Sequence, residues 1–162
     1  MNEKTQRVII ICGSDTDLPQ VRSACENVPW KKRITIYVIS CHRNPQDLKS
    51  FIFNRLTDGD IVIGAGGKAL ALPGIIDAWA HFFRKNIRVA GVALGEPGSN
   101  ALLAAQLSIE EIPGQPVIIN EVTGKAYTGT NGLRELLDRI ESGKLPPPKP
   151  RKEKPVQLNV PI

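Results

Sequence analysis

Short runs of Val and Ile alternate along the chain with longer stretches in which apolar residues recur at helical spacing. Residues 7–12, 34–39, 60–65, 88–94 and 116–120 are the Val/Ile-rich runs. Their length and β-branched content predict strands, and the unbroken run Ile34-Thr35-Ile36-Tyr37-Val38-Ile39 reads as a buried one. Between them lie amphipathic segments. Val21, Ala24, Cys25 and Val28 stand at i, i+3, i+4 and i+7, with Pro19 in the first turn and Pro29 closing the helix. Leu48, Phe51, Ile52 and Leu56 mark a second helix over residues 45–56, and Leu72, Ile75, Ile76, Trp79 and Phe83 a third over 71–84. Ser99 or Asn100 caps an Ala/Leu-rich helix running to Ile109, after a break at Gly95-Glu96-Pro97-Gly98. Leu133, Leu136, Leu137 and Ile140 mark the last helix, ended by Gly143.

Strands and helices that alternate in this way predict a parallel sheet covered on both faces. Right-handed crossovers then give an α/β fold: a three-layer, doubly wound sheet of flavodoxin-like order. Residues 1–143 read as a single domain and 144–162 as a Pro/Lys-rich tail holding six of the 13 prolines. The tail cannot be a regular helix or a central strand. Val156, Leu158, Val160 and Ile162 alternate within it, and it is expected to pack against a subunit.

Charge changes this picture little. The net charge is +5, but five of the 21 Lys/Arg and one of the 16 Asp/Glu lie from Lys144 onward, leaving 16 basic and 15 acidic residues in the body. The basic character belongs to the tail, so no nucleic-acid partner is expected. No apolar run is long enough to span a membrane and the N-terminus is polar, so a cytoplasmic protein is expected. Cys12, Cys25 and Cys41 are an odd number without metal-type spacing and read as reduced thiols. Of the two histidines, His81 lies off the apolar stripe of its helix and is expected at the surface; no metal site is expected.

The candidate chemistry lies in three strand-to-helix loops, at the strand ends where open α/β sheets place ligands. Gly13-Ser14-Asp15-Thr16-Asp17 suits a phosphate at a helix N-terminus, with Asp17 accepting a ribose hydroxyl; equally, Ser14 and Asp17 have capping-box spacing. Ser40-Cys41-His42-Arg43-Asn44-Pro45 places a side chain able to give and take protons near neutral pH beside a fixed cation, although His42 could instead cap a helix or sit in the core. Cys41 reads as buried or half-buried rather than as a nucleophile paired with His42. Gly64-Ala65-Gly66-Gly67 either lets a ligand approach the backbone or is an ordinary connector, and Lys68 after it is an anion contact or a solvated lysine.

With the loops placed, the sequence resembles the family of 5-(carboxyamino)imidazole ribonucleotide mutases and aminoimidazole ribonucleotide carboxylases of purine biosynthesis. Gly13 to Asp17 is similar to the family's Gly-Ser-x-Ser-Asp, and Ser40 to Pro45 to its Ser-Ala-His-Arg-Thr-Pro. Gly64 to Gly67 with Leu72-Pro73-Gly74 is similar to Gly-Ala-Gly-Gly…His-Leu-Pro-Gly, and Leu107 to Val117 to a later Leu-Ser-Ile…Pro-Val segment. Ala71 stands where the family carries a histidine, with one extra residue before Leu72. Gly95 to Asn100 also departs from the family's substrate-covering loop.

The resemblance implies conversion of 5-carboxyaminoimidazole ribonucleotide to 4-carboxy-5-aminoimidazole ribonucleotide, with no metal, ATP or organic cofactor. The alternative is a divergent member that carboxylates aminoimidazole ribonucleotide directly, or binds another nucleotide without this turnover. His-Arg rather than His-Lys in the second loop is similar to the mutase class. By resemblance His42 is the catalytic proton carrier, and Ser14, Asp17, Ser40, Arg43, Gly66 and Gly67 bind substrate. The resemblance also implies a homo-oligomer, an octamer, to which Trp30, Trp79 and Phe82 could lend exposed apolar surface.

Overall fold

The computed structural model describes residues 6–111, 116–148 and 150–156. Its sheet has the order β2-β1-β3-β4-β5, with every pairing parallel, and helices cover both faces. This is the expected three-layer α/β, flavodoxin-like arrangement. The strands are β1 (Val8–Cys12), β2 (Ile34–Val38), β3 (Ile61–Gly66), β4 (Arg88–Ala93) and β5 (Tyr127–Thr128). The helices are α1 (Leu18–Cys25), α2 (Pro45–Arg55), α3 (Leu72–Phe82), α4 (Asn100–Glu110) and α5 (Gly129–Glu141).

The pleat sorts β1 into two cores. Val8, Ile10 and Cys12 face α1 and α5, meeting Val21, Ala24, Leu133 and Leu137. Ile9 and Ile11 face α2, α3 and α4, meeting Leu48, Ile52, Ile76 and Ile109. Because β1 and β3 are buried on both faces, they read as continuous apolar runs.

Two strands differ from expectation. β2 is an edge strand, not a buried one; Tyr37 is 37% and Val38 45% exposed. Residues 116–120 do not form the fifth strand: only Ile118 bridges, to Ala90, and β5 lies further on, pairing with Val92 and Ala93. Asn120 explains the interruption. Its side-chain oxygen accepts the Val122 N–H at 3.0 Å, and its backbone N–H donates to the Lys125 carbonyl at 3.0 Å, so the chain turns out and returns. Pro116, moreover, has no N–H to give a ladder.

Trp30 is half-buried against the first core under the Arg33 guanidinium, not exposed, whereas Phe82 is 68% exposed and Trp79 half-buried. His81 lies at the surface and meets Glu153 of the tail at 3.0 Å. After α5 the chain turns at Gly143 (φ 67°), buries Leu145 in the first core, and then reaches α3, where Arg151 bonds Asp77. Val156 is 84% exposed; Leu158, Val160 and Ile162 lie outside the described residues. No described helix is long and apolar enough to cross a membrane.

Candidate functional site

The carboxyl ends of β1, β2 and β3 are neighbours, so the loops that follow them share one cleft of about 560 Å³. Ser14, Asp17, Ser40, His42, Arg43, Gly66 and Gly67 all line it. The β4–α4 loop adds Gly95 and Glu96, and Leu70 and Leu72 give an apolar wall.

The first loop is braced by its own side chains. Ser14 caps a single 3-10 turn, Asp15–Asp17, and the capping box is complete. Thr16 N–H donates to Ser14 Oγ at 3.4 Å, and Ser14 N–H to Asp17 Oδ2 at 3.0 Å. Two N–H groups that a phosphate would want are therefore already spent, which the capping-box spacing had left open. The Gly67 N–H of the third loop faces Asp17 as well and favours its charged form. Burial pushes its carboxyl above the ordinary carboxylate value, against the pull of those two N–H groups, and Asp15 adds to the rise. A carboxylate has room for further hydrogen bonds, so acceptor capacity for a ligand hydroxyl remains.

In the second loop, Ser40 is buried and its Oγ accepts the Arg43 N–H at 3.1 Å, while Asn44 N–H donates to the Ser40 carbonyl at 2.8 Å. This tight turn presents His42 at its apex, exposed to the cleft. Arg43 Nη2 reaches across to the Gly13 carbonyl at 3.2 Å, which fixes a cation over the first loop. Cys41 is half-buried, and burial raises its thiol pKa, so it is a poor nucleophile. Cys12 beneath is pushed up to about 12 by burial.

The glycines of the third loop answer to the protein rather than to open space. A Cβ on Gly64 would stand 2.9 Å from Pro73 Cγ, one on Gly66 3.2 Å from Asp17 Oδ2, and one on Gly67 2.9 Å from the Leu94 carbonyl. Gly64 lets the first turn of α3 close onto β3. Gly66 and Gly67 let the first and third loops and β4 meet at the floor of the cleft.

Gln20 gave no sign in the sequence. Its amide donates to the Gly95 carbonyl and accepts the Gly95 N–H, both at 3.2 Å. This pair pins the β4–α4 loop to α1 across 75 positions of sequence, a separation no local pattern encodes. Among the described residues, no group of three His, Cys, Asp or Glu is arranged to hold a metal.

Residues 7–83, which contain all three loops but not the β4–α4 loop, match the model of the AIR carboxylase family. The N5-carboxyaminoimidazole ribonucleotide mutase of Pyrococcus abyssi is 30% identical over 120 residues, 73% of this chain and 66% of that protein. That of Thermotoga maritima is 32% identical over 110 residues, 67% of this chain and 61% of that protein. The phosphoribosylaminoimidazole carboxylase of Saccharomyces cerevisiae is 31% identical over 124 residues, 72% of this chain but 20% of that protein. The chain thus spans just under two thirds of the length of the mutases it matches. The crystal structure of Treponema denticola PurE shares the fold, with a TM-score of 0.60 at 19% identity, over 85% of this chain and 80% of that one.

Proposed function

Because this chain is a relative of the AIR carboxylase family, we propose that it converts 5-carboxyaminoimidazole ribonucleotide to 4-carboxy-5-aminoimidazole ribonucleotide. One observation carries the reading: the order β2-β1-β3 brings His42, Arg43, Ser14, Asp17, Gly66 and Gly67 into a single cleft. The Arg43 guanidinium is the main anchor of the ribonucleotide phosphate, beside Ser14, whose N–H stays with Asp17; the ribose lies by Asp17, and the imidazole over Gly66 and Gly67. Ser40 positions the turn that carries His42.

In the reaction the exocyclic N–CO2 bond breaks and carbon dioxide leaves; the nitrogen keeps the electron pair and takes up a proton from protonated His42. The electron-rich ring carbon C4 then attacks the carbon dioxide, and His42 removes the C4 proton to restore the aromatic ring. Carbon dioxide must stay beside C4 between the steps, so proximity supplies much of the rate. We infer that a homo-oligomer closes the site, and that residues 1–143 act as one α/β unit to which the tail returns.

A second reading has its own observation. Ala71 replaces the family histidine, and Gln20 pins the loop that covers substrate in the family. A divergent enzyme that carboxylates aminoimidazole ribonucleotide directly, or a nucleotide binder without turnover, fits those two features. The test is turnover of 5-carboxyaminoimidazole ribonucleotide followed by ultraviolet absorbance. The wild type is expected to be active, and His42→Asn to lose turnover while binding the product nucleotide within about tenfold of wild type. An Asn variant that keeps most of the rate refutes the role of His42. A wild type that binds the nucleotide without converting it favours the second reading.

A further inference from the structure

We propose that Lys68 forms the subsite for the substrate's carboxylate and so sets preference for carboxylated over uncarboxylated ribonucleotides; this rests on the function proposed above. Among the residues lining the cleft, the fixed cations are Arg43 and Lys68. Arg43 follows β2 and Lys68 follows β3, one on each side of β1. The Arg43 guanidinium reaches back over the first loop to the Gly13 carbonyl, which leaves the third-loop side of the cleft to Lys68. A ligand with an anion at each end suits a cleft with a cation at each end.

The backbone at Lys68 carries a second sign. Its φ is 59°, in the left-handed region that glycine and asparagine adopt more readily than lysine. The surroundings impose this conformation. Leu94 N–H donates to the Gly66 carbonyl at 2.8 Å, Gly67 abuts the Leu94 carbonyl, and Ala71 N–H donates to the Ala69 carbonyl at 3.0 Å. Over-determined strain of this kind gathers at ligand sites. A glycine would relieve it, yet the position carries a long cationic side chain at the rim, where the carboxylate of a bound imidazole would emerge. Lys68 is exposed, so its charge can be spent on a ligand without first breaking a buried contact.

Lys68→Gly removes the charge and relaxes the backbone, so the fold is kept. Calorimetric titration of the full chain with 4-carboxy-5-aminoimidazole ribonucleotide and with 5-aminoimidazole ribonucleotide separates the two anions. Lys68→Gly is expected to weaken the carboxylated ligand about tenfold and leave the uncarboxylated one within about twofold. Lys68→Arg is expected to retain the preference, and added salt to narrow it in the wild type. Equal losses for both ligands would place Lys68 on the phosphate and overturn the proposal, as would no loss for either. If the wild type converts the carboxyamino substrate and Lys68→Gly keeps the preference, only the role of Lys68 fails. If the wild type binds neither ligand, the proposed function fails and this subsite fails with it.

Discussion

Replacing Asp17 by Ala tests whether one carboxylate holds two loops of the cleft together. Asp17 accepts the Ser14 N–H at 3.0 Å and faces the Gly67 N–H, so its carboxylate stands between the end of β1 and the end of β3. Removing it leaves the half-buried Ser14 N–H without its partner and takes the negative charge away from the Gly67 N–H. An orphaned buried donor costs about 1–3 kcal/mol, and water reaching a half-buried one lowers that, so the two losses together come to about 2 kcal/mol. Asn keeps one acceptor oxygen and should lose less. The pH dependence separates the two variants further. Burial raises the Asp17 pKa above the ordinary 3.8, so the folded state holds this proton more tightly than the unfolded state. The wild type is therefore favoured by this group below the ordinary value, and it loses that advantage as pH rises through the folded value. Asn does not titrate, so its deficit against wild type should shrink from about pH 4 to about pH 7. Urea unfolding followed by the fluorescence of Trp30 and Trp79 measures both effects. An Ala variant within about 0.5 kcal/mol of wild type at neutral pH, or an Asn deficit that widens with pH, refutes the reasoning.

Two further outcomes follow from the packing. Gly64→Ala would set a Cβ 3.0 Å from Pro73 N and Cα, backbone that cannot swing aside, and should cost about 2 kcal/mol in urea unfolding; an unchanged midpoint would mean that α3 shifts freely. Truncation after Gly143 removes the buried Leu145 and the Arg151 partner of Asp77, and should cost about 2 kcal/mol. Burial already raises the Asp77 carboxyl and Arg151 holds it back, so carbon-detected NMR titration should find Asp77 higher still in the truncated chain.

What the sequence revealed depended on how local the cause was. Helices were legible because apolar stripes such as Leu133, Leu136, Leu137 and Ile140 report one buried face each. β2 was misread because Ile34 to Val38 is apolar without being enclosed, and edge position follows from strand order, not from composition. The fifth strand was misplaced because the Asn120 turn splits its place in the sheet between Ile118 and Tyr127. At the site, His42, Arg43 and Asp17 stood out by residue type next to strand ends. Gly64, Gly66 and Gly67 also make room for Pro73, Asp17 and Leu94, close approaches between segments that no local pattern links. Gln20 was invisible because its partner lies in another loop.

The last prediction concerns how the cleft is closed. The proposed reaction releases carbon dioxide, and a rate built on proximity requires that it not escape. His42 sits at the exposed apex of its turn, so the second loop does not cover it. The β4–α4 loop would have to swing over the cleft to do so, but Gln20 holds Gly95 by two hydrogen bonds and Ser99 caps α4 immediately after it, accepting the Leu102 N–H at 3.2 Å. With both of these loops fixed, we infer that the cover comes from a neighbouring copy. Exposed apolar side chains are present for such contacts, Phe82 at 68% and Phe53 at 55% among them. The active species is therefore expected to be a homo-oligomer larger than a dimer, and light scattering run beside the turnover assay measures it. Activity per chain should fall on dilution in step with the loss of mass. A monomer at micromolar concentration that turns over substrate at the undiluted rate would show that this chain closes its site alone, and Gln20 would then have to release Gly95 in every cycle.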